Sequence, residues 1–330
     1  MRARAFTLME MAVTIAIAGI VSFSAIAAYA QFLQLGRVVG KDAEVTELAR
    51  GGALFIVEEL RTAGGGGIPA WSSVIIEDDC LARDGYPACN GSDRLTLVQA
   101  IPRFPSCAIK TGVSDTRVEV ETVSLRGDDV CCLNEDGFVR QVALVWPDTM
   151  QPAVLKSVGR DCLFDVVPIV PGDALPRPLA VSTAATTGFP GAVIVLADVK
   201  TWYVEWTGDT IGALNMHVEL NGDRSVVGER LTILPTVGDF QAALGYAIAN
   251  DALVDVAGGS DRWWPNARGE SGRPVETLLP ERAVLAGVST LAVTRDVNRN
   301  EEVSTPWGPV RRLSGGRVRI ATERVALENE

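Results

Sequence analysis

Histidine is almost absent from this 330-residue chain, and His217 is the single imidazole. A Ser-His-Asp or Cys-His hydrolase would have to use it as base. It sits in NMHVEL, where Met216, Val218 and Leu220 alternate with Asn215, His217 and Glu219, which places His217 on the polar, solvent-facing side of a half-buried strand. No GxSxG elbow is present. CxxC pairs are missing too, so a zinc site of the usual Cys/His kind is excluded. Gly36-Arg-Val-Val-Gly-Lys41 has one residue too few between its glycines for a phosphate loop, and Asp42 stands where Ser or Thr is required. Basic residues are outnumbered, 30 against 41 acidic, for a net charge of -11. That balance opposes a broad phosphate-neutralising surface, and no nucleic-acid partner is expected. The chain reads as a non-enzyme with no cofactor.

Charge is missing altogether between Glu10 and Arg37. Met11–Ala30 alone supplies about 20 mostly apolar positions, the length that spans a bilayer as a helix. Arg2 and Arg4 precede this run, so the positive-inside tendency keeps the short N-terminus cytoplasmic and sends the remainder outward. A secretory signal is the alternative, with Ala28-Tyr29-Ala30 as its cleavage site. Glu10 opposes it. A carboxylate at the start of an apolar span costs about 2.5 kcal/mol or more and marks a function.

At 47% hydrophobic and 22% charged, the chain is globular rather than disordered. Its cysteines are Cys80, Cys89, Cys107, Cys131, Cys132 and Cys162, an even number that fits disulfides in an oxidising compartment. Several connectivities remain open. The preferred local pair is Cys80 with Cys89, because the intervening LARDGYPA carries turn residues Gly85 and Pro87. Adjacent Cys131 and Cys132 are expected to reach different partners, with Cys107 and Cys162 as candidates.

The N-terminal residues ARAFTLMEMAVTIAIAGIV resemble the class III leader of type IV prepilins, whose usual form is Gly-Phe-Thr-Leu-Ile-Glu. The resemblance implies cleavage by prepilin peptidase between Ala5 and Phe6, N-methylation of Phe6, and a role for Glu10 in neutralising a neighbouring subunit's N-terminal amine. Ala5 replaces the commoner Gly, and Ala27 stands where many major pilins carry a helix-bending Pro. The resemblance extends toward PilW-like minor pilins through ELARGGALFIVEELRTAG (47–64), LPTVGDFQAALGYAIANDALVD (234–255), ERAVLAGVSTLAVTRD (281–296) and RVRIATERVALENE (317–330). Glu328 departs from that family's usual Leu-Arg-Asn ending.

The expected fold is α+β and pilin-like, a long N-terminal membrane helix packed on an antiparallel β-rich head with disulfide-bearing loops. Its parts are a leader (1–5), an apolar transmembrane and assembly helix (6–35), an amphipathic continuation (36–63) and the head (64–330). Val45, Leu48, Phe55, Ile56 and Leu60 form the continuation's apolar face, and Gly64–Gly67 with Pro69 end it. Strands are expected at 72–77, 94–100, 117–124, 138–146, 192–205, 213–220, 226–234, 240–247, 283–294 and 316–326. The Pro- and Gly-rich stretch 168–191 reads as a surface connection.

Two weaker features complete the reading. Asp296, Asn298 and Asn300 are spaced like the start of a calcium loop, but Glu301 takes the glycine position and Trp307 that of the bidentate Glu, so a polar turn is preferred. Trp202, Trp206, Trp263 and Trp264 suit a core or subunit interface better than a ligand platform. The resemblance implies a minor pilin that primes a type IV pilus near its tip. Expected partners are other minor and major pilins, prepilin peptidase, the inner-membrane assembly platform, a tip adhesin, and lipid through the helix. The head would lie in a bacterial periplasm and, after assembly, on the pilus. A J-type pseudopilin of type II secretion is one alternative, and a membrane-anchored periplasmic enzyme or receptor is another.

Overall fold

The computed structural model describes residues 8–68, 73–77, 86–101, 106–114, 117–120, 124–125, 128–129, 139–146, 149–158, 162–168, 193–207, 211–218, 230–246, 263–264, 283–304 and 310–326. One helix, α1 (Leu8–Arg61), precedes an antiparallel β-rich head. It runs through Gly36 and Gly40 without interruption and, at 54 residues, is about 80 Å long. Its buried residues are Val45, Ala49, Gly52, Ala53, Ile56, Val57 and Leu60, spaced at three and four residues so that they form one stripe. Phe55, expected in that stripe, is 40% exposed because it lies about a third of a turn away from the stripe's centre.

The head begins where four glycines reverse the chain. Gly64, Gly65, Gly66 and Gly67 all have positive φ. This conformation lets Gly64 donate to the carbonyl of Val98 at 2.8 Å and accept from the amide of Ala100 at 3.0 Å. The strands that follow are β1 (Val74–Glu77), β2 (Arg94–Ala100), β3 (Cys107–Ser114), β4 (Arg117–Val120), β5 (Ser124–Leu125), β6 (Asp128–Asp129), β7 (Val139–Trp146), β8 (Thr149–Ser157), β9 (Leu163–Pro168), β10 (Val193–Trp206), β11 (Gly212–His217), β12 (Arg230–Tyr246), β13 (Trp263–Trp264), β14 (Ala283–Ser304) and β15 (Val310–Ala326).

These strands form two connected bodies. The helix-bearing sheet runs β15-β14-β12-β11-β10, with β2 and β1 continuing from the far side of β10. Its front face meets α1: Ala53, Ile56, Val57 and Leu60 pack with Trp202, Leu214, Phe240 and their neighbours. Closer to the N-terminal end of the stripe, Val45 and Ala49 meet Ala292, and Thr290 Oγ1 donates to the Ala49 carbonyl at 2.7 Å. Lys200 pairs with Glu59, and Arg319 with Asp42 at 3.1 Å.

The second body closes on itself. β10 pairs with β3, β3 with β4, β4 with β9, β9 with β8, β8 with β7, and β7 again with β10, which makes a closed six-stranded antiparallel barrel. Every strand sends side chains into one dry interior, among them Cys107, Val118, Leu144, Leu155, Phe164 and Ile194. A barrel of this size is filled by its own side chains. The start of β10 is a barrel stave and its end lies under α1, so one 14-residue strand joins both bodies. A third cluster, including Ile75, Val98, Val145, Val154, Val195 and Tyr203, seals the barrel's outside against the back of the sheet.

Expected strands at 226–234 and 240–247 are one strand, β12. Pro235 and Thr236 fall in a register irregularity between Leu234 and Val237, where a residue without an N–H costs no ladder bond. β3, β8 and β9 were not anticipated. β8 contains Pro152, which is paired with Ala143 of β7, while the ladder with β9 starts only at Ala153. The stretch 169–192 lies outside the described residues.

The Gly66 Cβ position lies 2.7 Å from Ala100 Cβ and the residue has φ +57, whereas nothing lies within 4 Å of a Cβ on Gly51. Gly66→Ala is expected to destabilise the head by about 1–3 kcal/mol. Gly51→Ala, on the exposed side of α1, is expected to stabilise by up to about 1 kcal/mol. Urea unfolding of the two variants in detergent checks both signs.

Candidate functional site

From Leu8 to Lys41 every residue of α1 is exposed, including Met11, Ile15, Ile20, Phe23 and Phe32. The helix is long and apolar enough to cross a membrane, with a mean hydropathy of 2.2 in its most apolar window. Length and composition alone fit a membrane anchor and a signal sequence equally. Glu10 lies on the exposed first turn, and its carbonyl accepts a hydrogen bond from Thr14 Oγ1 at 2.7 Å. Ala5 and Phe6 lie outside the described residues. From Val45 to Leu60 the same helix is docked on the head, so only its N-terminal part is exposed along its whole length.

Cys89, Cys107 and Cys162 are described, and none is a free thiol. Cys80, Cys131 and Cys132 lie outside the described residues, so each expected pair has one member there. Cys107 projects into the barrel interior, and the partly buried Cys162 packs against the same core. Cys89 instead belongs to the turn at 86–92.

His217 is not solvent-facing. It is 8% exposed and stacks on Tyr203 with ring centroids 5.3 Å apart, while Tyr86 meets both rings edge-on. Alternation in NMHVEL correctly separated two faces, but both are covered: Met216 faces α1 and His217 lies under the turn that starts at Tyr86. Burial, then the nearby Arg230, hold the imidazole below its usual pKa, opposed by Glu205. Burial pushes the Tyr203 phenol up to about 12. Arg94 crosses the Tyr86 ring at 5.0 Å and pairs with Glu77 at 3.0 Å, with both side chains buried.

Trp202 is fully buried in the core beneath α1, and Trp206 Nε1 donates to the Cys89 carbonyl at 3.0 Å. Trp263 and Trp264 pair with the end of β12 through their backbones. Asp296, Asn298 and Asn300 lie on β14 and not in a turn, at the irregularity where its ladder with β15 skips from Arg295 to Asn300. Among the described residues no cluster of His, Cys, Asp and Glu is arranged to hold a metal ion.

A buried polar centre went unrecognised in the sequence. Asp239 Oδ1 accepts from Ser92 Oγ at 2.7 Å, Phe240 N at 2.9 Å and Gln241 Nε2 at 3.0 Å. Gln241 Nε2 also reaches the Gly91 carbonyl at 2.7 Å, and the amide of Ala242 donates to Asp93 Oδ2 at 2.7 Å. Asp93 and Asp239 have no exposed surface. The visible signal was a polar pair, Asp239 and Gln241, inside the otherwise apolar VGDFQAAL, together with the turn-forming NGSD at 90–93. These residues hold the Cys89 turn against β12.

No family model, curated protein or solved structure matches the chain. Asp239→Ala removes the acceptor of three donors and is expected to cost about 3 kcal/mol or more of stability. Asp239→Asn retains one carbonyl oxygen and is expected to cost less. Thermal unfolding of the two variants measures the difference.

Proposed function

We propose that this chain is a pilin-like assembly subunit, a minor pilin that primes a type IV pilus near its tip. The observation that carries the reading is the division of α1. One continuous helix gives its C-terminal part to the head and leaves Leu8–Lys41 exposed and apolar. Such a surface needs lipid before assembly and neighbouring helices after it.

Glu10 gives the surface a register. In a bundle of apolar helices a carboxylate is tolerated when another chain supplies its cation, and the amine of a processed Phe6 on a neighbouring subunit has the right chemistry. Removal of one member of a buried pair costs about 3–5 kcal/mol, enough to decide incorporation. The proposed location is an inner membrane with the head in the periplasm. Disulfides there would join Cys80 to Cys89, with Cys131 and Cys132 reaching Cys107 and Cys162. A J-type pseudopilin of type II secretion shares leader and helix, and pilus genes or secretion genes beside this one separate the two.

Glu10→Ala is expected to leave leader processing intact while greatly reducing co-purification with partner pilins. Normal incorporation of the variant would contradict the role. Alkylation of the denatured, unreduced protein is expected to label no cysteine, and alkylation after reduction all six.

A further inference from the structure

Three rings from three segments meet on the back of the sheet. Tyr86 opens the turn that carries Cys89, Tyr203 lies on β10, and His217 ends β11. Their centroids are 5.1 to 5.7 Å apart and none is more than 8% exposed. On its other side the turn is fixed by Trp206, Gln241 and the Ser92–Asp239 bond. The rings are therefore the aromatic half of its attachment.

The charges around His217 leave no place for a second cation. On β12, Arg230 stands directly opposite His217 in the ladder, and Thr201 of β10 is its neutral partner on the other side. Glu205 of β10 is the nearby carboxylate. It is already taken by Arg230 at 2.6 Å and by Asn215 Nδ2 at 3.0 Å. From β2, Arg94 lies over Tyr86, and its carboxylate, Glu77 of β1, is engaged with it. The phenols of Tyr86 and Tyr203 carry no charge at neutral pH. Nδ1 of His217 is buried and has no hydrogen-bond partner among the described residues. An imidazolium here would be desolvated and face an arginine, and the two carboxylates described around it, Glu205 and Glu77, are already engaged.

We propose that His217 is an acid-sensitive latch: neutral, it holds Tyr86 and the turn at 86–92 against the sheet, and protonated, it releases them. The sign follows from linkage. The closed form holds the imidazole below the usual value of about 6.5, so the open form binds more protons on acidification. Closure is complete above the open-state value and weakens as pH falls toward the closed-state value. Because Asp239 and Gln241 grip the same turn, opening would also loosen the centre of β12 where the head meets α1.

The test is hydrogen exchange on the full-length chain in detergent, followed from about pH 7.5 to about pH 5 and corrected for intrinsic rates. Protection of the amides at 88–93 should fall about tenfold per pH unit below the usual imidazole value until the closed form itself protonates, while β14 keeps its protection. His217→Gln should abolish this dependence. Equal protection across the range, or an unchanged acid loss in His217→Gln, overturns the latch. Arg230→Gln provides a second arm if that variant misfolds. Removal of the facing cation should raise the closed-state value toward the open-state one, so that the acid loss of protection becomes smaller and ends at higher pH, and an acid loss of unchanged size also overturns the proposal.

Discussion

The contact on which everything else depends is the burial of one stripe of α1, from Val45 to Leu60, against the front of the sheet. The stripe uses small residues where the strands come close. Gly52 lies against Leu234, where a Cβ would meet the Leu234 side chain at 2.6 Å. Larger residues fill the centre, with Ile56 and Leu60 over Trp202 and Phe240. Each fully buried large apolar side chain contributes about 1.5–3 kcal/mol, so the docked half of the helix is held by the head. The free half draws nothing from the chain's own core. The exposed part of the helix presents about 50 Å of apolar surface, which the proposed assembly role would use for contact with lipid or neighbouring helices.

The barrel explains how a large head is carried without disturbing that contact. β10 enters as a barrel stave and leaves as a central strand, with Ile194 and Leu196 pointing into the barrel while Trp202 and Val204 point at α1. The two cores are thus covalently continuous but separate in side-chain content. Cys107 lies in the barrel core with Cys162 packed against that core, and Cys89 lies in the turn clamped to β12, so the described cysteines are divided between the barrel and that turn.

Much of this was legible where one physical signal dominated. The uncharged run after Glu10 specifies an exposed apolar helix, the spacing from Val45 to Leu60 specifies its docked face, and Gly64–Gly67 specify its end. Strands were legible as short apolar or alternating runs, as in β1, β2 and β10. Barrel strands were lost because their signals conflict: β8 carries Pro152, and β3, CAIKTGVS, neither alternates nor forms a continuous apolar run. His217 was misplaced because alternation separates faces without saying whether each is covered. Asp239 and Gln241 stand out as polar residues in an apolar run, but the centre was not legible because its partners, Ser92 and Gly91, are about 150 residues away in sequence. The leader junction at Ala5 and Phe6 rests on sequence alone.

The central claim, that the exposed helix begins at a processed pilin-like N-terminus and serves assembly, is tested most directly by the intact mass of the mature chain from membranes of a cell with prepilin peptidase. The account predicts a chain lacking residues 1–5 and starting at N-methylated Phe6. A chain that retains Met1, or one cut after Ala30 and therefore without its apolar helix, would contradict it.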